Sequence, residues 1–149
     1  MSEPVPVPRF TVITLGVVDM RRAISFYEAL GFARKMRATG EAVAFFETGA
    51  TVIGLFPWDE LAGEAEVAVA PRPQAFRGVT LAWNCRSVEE VDTVLAFAVA
   101  KGASLIKKAG RTSYGGYCGH FADPDGHLWE VVVAPGVEVG EDRRVHLKD

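Results

Sequence analysis

The sequence predicts an α+β chain: two β-α-β-β-β modules forming a cupped, mixed, mostly antiparallel sheet, with the helices on its outside. Three observations predict it. The same order of elements can be read twice along 149 residues. The strand-like runs alternate large apolar residues with small or polar ones, as half-buried strands do. Each helical run opens on a capping residue and closes on a glycine.

The elements follow in order. "TVITLGVV" (residues 11–18) reads as a strand and Asp19 as the N-cap of a helix whose apolar spacing runs through Ile24, Tyr27 and Leu30. Gly31 ends it as a C′ residue. "ARKMRA", "VAFFET" and "TVIGLFP" read as three strands, with Gly49-Ala50 as a two-residue type II′ turn between the last two. In the second half "GVTLAWN" (residues 78–84) is a strand. Ser87 and Glu90 form a capping box, and the helix through "VDTVLAFAVAK" ends at Gly102. "SLIKK", "YCGHFA" and "HLWEVVV" complete the repeat. Asp123-Pro124-Asp125-Gly126 suits a type I turn with a G1 bulge. The modules span residues 10–58 and 77–135, joined by a long linker, 59–76, in which Arg72 is a loop residue. The opening "MSEPVPVPRF" reads as an extended arm, and residues 136–149 as a charged, solvated tail.

Composition excludes several classes. The net charge is −3 and no basic stripe is visible, which argues against a nucleic-acid partner. No apolar run is long enough to span a membrane. Two cysteines, Cys85 and Cys118, read as free thiols in a reducing cytoplasm rather than as a disulfide framework.

Strand parity divides the residues into two faces. The odd positions Ile13, Leu15, Val17, Val79, Leu81, Trp83, Trp129, Val131 and Val133 are large and apolar, and suit packing on the helices. The even positions are smaller and carry the polar groups, and suit a cavity. That face holds Val12, Thr14, Gly54, Phe56, Trp58, Gly78, Thr80, Asn84, Leu128 and Glu130, with Phe45 opposite Gly54 across the two-residue turn. The Asp123–Gly126 turn places His120 opposite Glu130 and Phe121 opposite Trp129; a slip of one residue would bring Gly119 there instead.

The paired modules, "ITLGVVDMRRAISFYEALGF" and "FADPDGHLWEV" together resemble the vicinal oxygen chelate superfamily: glyoxalase I, extradiol dioxygenases and bleomycin-resistance proteins. The resemblance covers residues 10–135 and implies a cupped fold around a ligand cavity, and a homodimer. Its metal enzymes draw a His or Glu from the first and last strand of each module. Those positions fall here on Val12, Gly54, Gly78 and Glu130, of which only Glu130 has a side chain able to ligate a metal. The sequence therefore points to no metal and no cofactor. Glycine at such a position leaves room for an organic ligand.

Glu130 reads as a ligand anchor or general base, or as a carboxylate with a structural partner; His120 reads as its helper, or as a plain strand histidine. His127 reads as structural. Tyr114 and Tyr117 flank a Gly-Gly loop that suits a flap, and Trp58 either caps the cavity or covers the core. Cys118 reads as an inert thiol. Lys107 and Arg111 read as edge charges open to an anionic ligand. The leading expectation is a protein that binds a small, largely apolar organic ligand without metal. Two alternatives stand beside it. One is a lyase, isomerase or oxygenase using Glu130 as general base or sole retained metal ligand. The other is an interaction module whose cup is plugged by its own side chains.

Overall fold

The computed structural model describes residues 4–69, 73 and 75–149; Arg72 lies outside them. The first half lays down β1 (Val12–Val17), α1 (Met20–Ala29), β2 (Ala33–Lys35), a 3-10 turn (Arg37–Thr39), β3 (Ala44–Glu47) and β4 (Val52–Pro57). After α2 (Trp58–Glu64) the second half repeats the pattern: β5 (Leu81–Asn84), α3 (Val88–Ala100), β6 (Ser104–Arg111), β7 (Tyr117–Ala122) and β8 (Leu128–Val133). A short hairpin, β9 (Val137–Val139) and β10 (Val145–Leu147), follows.

Each module closes its own ladder. The sheets run β1-β4-β3-β2 and β5-β8-β7-β6, with the first pair of each parallel and the rest antiparallel. They are two open sheets rather than one continuous cup. They are joined instead by side chains: Tyr27 and Phe32 of the first module pack on Trp83 and Trp129 of the second.

Local chemistry explains the elements. Asp19 accepts the Arg22 N–H at 3.0 Å and Ser87 accepts the Glu90 N–H at 3.1 Å, so both helices start where the caps predict. Glu90 reaches back to the Arg86 N–H, one residue before the usual capping-box partner. Gly31 and Gly102 take φ +99° and +109°, the left-handed geometry that ends a helix. The odd face is the core side: Leu15, Val17, Trp129 and Val131 are buried, with Ile13, Leu81, Trp83 and Val133 packed against them.

Four expectations change. Strand β5 begins at Leu81, and Val79 is 54% exposed, because no neighbouring strand extends to cover it. The run "ARKMRA" breaks after Lys35, where Met36 turns left-handed and a 3-10 turn follows. The linker opens with a helix, since Asp59 and Glu60 occupy its first turn, where acidic side chains favour the helix dipole. The tail is a hairpin. Its charges pair across the strands, Lys148 with Glu138 at 2.6 Å, and Arg86 donates to the carbonyls of Val139 and Gly140 at 3.2 and 2.7 Å.

Candidate functional site

The β7–β8 hairpin sets the register of the site. Asp123 N–H donates to the His127 carbonyl at 2.9 Å and Gly126 N–H to the Asp123 carbonyl at 3.0 Å, with Gly126 at φ +84°. Asp123 Oδ1 accepts the N–H groups of Asp125 and His127, both at 2.9 Å. With the turn fixed, His120 stands opposite Glu130 and Phe121 opposite Trp129, where the two rings stack.

Glu130 is half-buried beside Ala82 of β5, and its side chain makes no hydrogen bond or ion pair among the described residues. The Nδ1 of His120 is enclosed and has no hydrogen-bond partner. Leu128 and Asn84 are half-buried in the same sheet, opposite Ala122 and Val132. Tyr114 joins this face from the β6–β7 loop. Thr112 pins that loop, accepting the Gly116 N–H at 2.8 Å. Burial raises the Tyr114 phenol, and so do its neighbour Cys118 and the Glu130 charge. Tyr117, expected to reach the ligand from a flap at the cavity mouth, sits on the other face. Its hydroxyl donates to Asp92 of α3 at 2.7 Å and its ring packs on the core. Odd parity dictates this, so the signal was present in the numbering.

Gly78 and Thr80, also expected in the cavity, lie before β5 begins and are exposed. The register further shows that Gly78 is the wrong counterpart of Val12. Thr14 pairs with Gly54 as Ala82 pairs with Glu130. Two residues upstream, Val12 therefore matches Thr80.

The first sheet covers its own face. Phe45 pairs with Gly54 as expected, but the space above Gly54 is occupied: a Cβ there would stand 3.1 Å from Thr14 Oγ1 and 3.6 Å from the Phe45 ring. Val12 and Thr14 are exposed and Phe56 half-buried. Trp58 lies against Gly16, where a Cβ would meet its ring at 2.9 Å. The Arg77 guanidinium sits 5.1 Å over that ring, and His127 stacks on it at 6.0 Å. His127 also bridges the modules, with Nε2 2.7 Å from the Gly16 carbonyl and Nδ1 3.2 Å from Arg77. Only the neutral Nε2–H tautomer satisfies both contacts, donating to the carbonyl and accepting from the guanidinium.

A divalent ion does not fit this donor set. Of Val12, Gly54, Thr80 and Glu130, one is a carboxylate, one a hydroxyl, and two offer no side-chain donor. Among the described residues no three His, Cys, Asp or Glu side chains form a group able to hold an ion. No helix among them is long and apolar enough to cross a membrane.

Comparison with known proteins gives a consistent picture. Residues 9–131 match the family model of the Glyoxalase/Bleomycin resistance protein/Dioxygenase superfamily. A glyoxalase-related enzyme from Fulvimarina pelagi is 32% identical, with 96% of this chain and 100% of that one covered and a TM-score of 0.84. A glyoxalase/bleomycin resistance protein/dioxygenase from Nocardioides is 25% identical, with 93% and 91% covered and a TM-score of 0.74. A lactoylglutathione lyase from Agrobacterium tumefaciens shares the fold at 22% identity, with 86% and 95% covered and a TM-score of 0.64. No curated protein matches significantly.

Proposed function

The chain belongs to the glyoxalase/bleomycin resistance protein/dioxygenase superfamily, and from that premise we propose that it binds a small, largely apolar organic ligand without a metal. The ligand lies on the face of the second sheet that carries Glu130 and His120. One observation carries this reading: a half-buried carboxylate and an imidazole stand opposite each other, neither hydrogen-bonded, with no third donor nearby to complete a metal cage. The enclosed His120 Nδ1, left unpaired, costs stability unless a ligand satisfies it. Leu128, Ala122, Ala82 and Val132 supply the apolar surround.

The open face supports a homodimer in which a second copy covers it. The two free, buried cysteines support a reducing, cytoplasmic setting.

The test combines metal analysis with a thermal-shift screen of apolar organic compounds. Stabilising compounds are expected, with the shift lost in Glu130→Gln. Stoichiometric divalent metal that depends on Glu130 overturns the reading. The face-to-face carboxylate and imidazole also favour a second reading, catalysis with Glu130 as general base. Turnover that collapses in folded Glu130→Gln supports it; turnover unchanged in that variant removes Glu130 from the role.

A further inference from the structure

We propose that Lys107 completes a three-residue recognition row with Glu130 and His120, and that the site takes an apolar organic acid with a hydrogen-bond donor at its far end. The inference rests on the binding reading above and names the ligand class.

The row follows from register. Ala82 pairs with Glu130, Glu130 with His120, and His120 with Lys107, across β5, β8, β7 and β6. Directly paired residues share a face, so Glu130, His120 and Lys107 leave the sheet on one face from backbone positions in line, at steps of about 5 Å. The ladder shifts on both sides of Lys107, yet Lys107 itself holds its pairing with His120. Its side chain is exposed and makes no hydrogen bond or ion pair among the described residues.

The first module supplies an internal control. Its equivalent row is Thr14, Gly54, Phe45 and Lys35. There Phe45 and Thr14 close over Gly54, and Lys35 has a carboxylate, Glu47, at 3.9 Å. The same fold position thus carries a covered apolar row with a neutralised lysine in one module. In the other it carries an open ionisable row with an unpaired lysine.

The chemistry assigns the ends. Lys107 is a point cation for an oxyanion. An enclosed, partnerless His120 Nδ1 is tolerated as a bare lone pair more readily than as an N–H, which leaves Nε2–H as a second donor. Glu130 is acceptor-only when ionised and takes a hydroxyl or ammonium donor. Glu130 and Lys107 are anchored two inter-strand steps apart, about 10 Å, so the matching ligand has an apolar body between its carboxylate and its donor.

Calorimetric titration with three probes tests this: 3-(4-hydroxyphenyl)propanoate, its neutral amide, and 3-phenylpropanoate, which lacks the donor. The wild type should prefer the hydroxy acid to its amide by about tenfold, the size of one charge-assisted hydrogen bond. Lys107→Met should erase that preference and Lys107→Arg should keep it. Glu130→Gln should erase the preference for the hydroxy acid over 3-phenylpropanoate. A wild type without the acid preference, or a preference that survives in Lys107→Met, overturns the row. If other apolar compounds stabilise the protein but the acids gain nothing over the amide, this inference fails and the binding reading stands. If no compound stabilises it, both fail.

Discussion

Replacing Tyr27 with phenylalanine removes one oxygen from a buried polar chain between the modules. Trp129 Nε1–H donates to the Tyr27 hydroxyl at 3.2 Å, and that hydroxyl donates to Asp123 Oδ2 at 2.6 Å. Tyr27 is fully buried, and Trp129 and Asp123 are each 4% exposed. The variant loses a hydrogen bond to a charged acceptor and leaves the indole N–H without a partner. Asp123 keeps the two backbone donors on Oδ1. A charged-acceptor bond contributes about 1.5–3 kcal/mol and an orphaned donor costs about 1 kcal/mol or more, so the expected loss is about 3 kcal/mol. For a chain of this length that lowers Tm by about 6–12 °C. Urea unfolding followed by circular dichroism measures it, with the slope unchanged. A loss below about 1 kcal/mol would show that the chain contributes no more than ordinary packing.

The same phenol gives an independent pH test. Burial first, then the Asp123 charge and hydrogen bond, pushes Tyr27 well above its ordinary value of 10.0. The unfolded chain therefore releases this proton at a pH where the folded chain still holds it. The stabilisation is complete below about pH 10 and falls by about 1.4 kcal/mol per pH unit as the pH rises towards the folded value. Cys85, pushed by burial and then by Glu90 from 9.0 to about 12, acts with the same sign from a lower pH. Tyr27→Phe should remove the steeper part above pH 10 and leave the Cys85 part. An unchanged alkaline profile refutes the assignment.

Gly119→Ala should cost about 2–3 kcal/mol in urea unfolding, because its Cβ would stand 2.9 Å from Ala109 N and 3.0 Å from Lys107 O and would meet Leu95 of α3. Gly110→Ala, with nothing within 4 Å of its Cβ, is the control and should change little. His127→Leu removes the bridge between the Gly16 carbonyl and Arg77 and should cost about 1–2 kcal/mol. Combined with Arg77→Met it should cost less than the sum of the two; full additivity would show that the contacts are independent.

What the sequence reveals depends on how local the determinant is. The β7–β8 register was legible because Asp123, Pro124 and Gly126 define a turn, and the turn fixes every pair behind it. The core face was legible because parity reports it. Parity does not report where a strand ends, so Val79 continues the pattern of β5 into open solvent. The β9–β10 hairpin was not legible, because strands of three residues carry no periodicity and its support comes from Arg86, far away in the chain. The filling of Gly54 was equally hidden. Glycine announces room, and only the fold shows Thr14 and Phe45 taking it.

The two sister rows allow one last step. Both modules fold with the same strand order, yet one uses Gly54 and Phe45 where the other uses Glu130 and His120. The fold therefore has no need of a carboxylate at this position, and a half-buried, unpartnered one opposes stability. The proposed binding site gives these groups a use that offsets the cost, a trade of stability against function. Importing sister-row character should then stabilise the protein: Glu130→Leu with His120→Phe should raise urea stability by about 1 kcal/mol, while the compounds that stabilise the wild type lose their effect. Each half of that result guards the other. Loss of binding alone could come from a damaged fold, and a gain in stability alone could come from added apolar surface. A double variant destabilised by more than about 1 kcal/mol would show that Glu130 and His120 hold the second sheet together, and would return them to the structural role that their missing hydrogen bonds argue against.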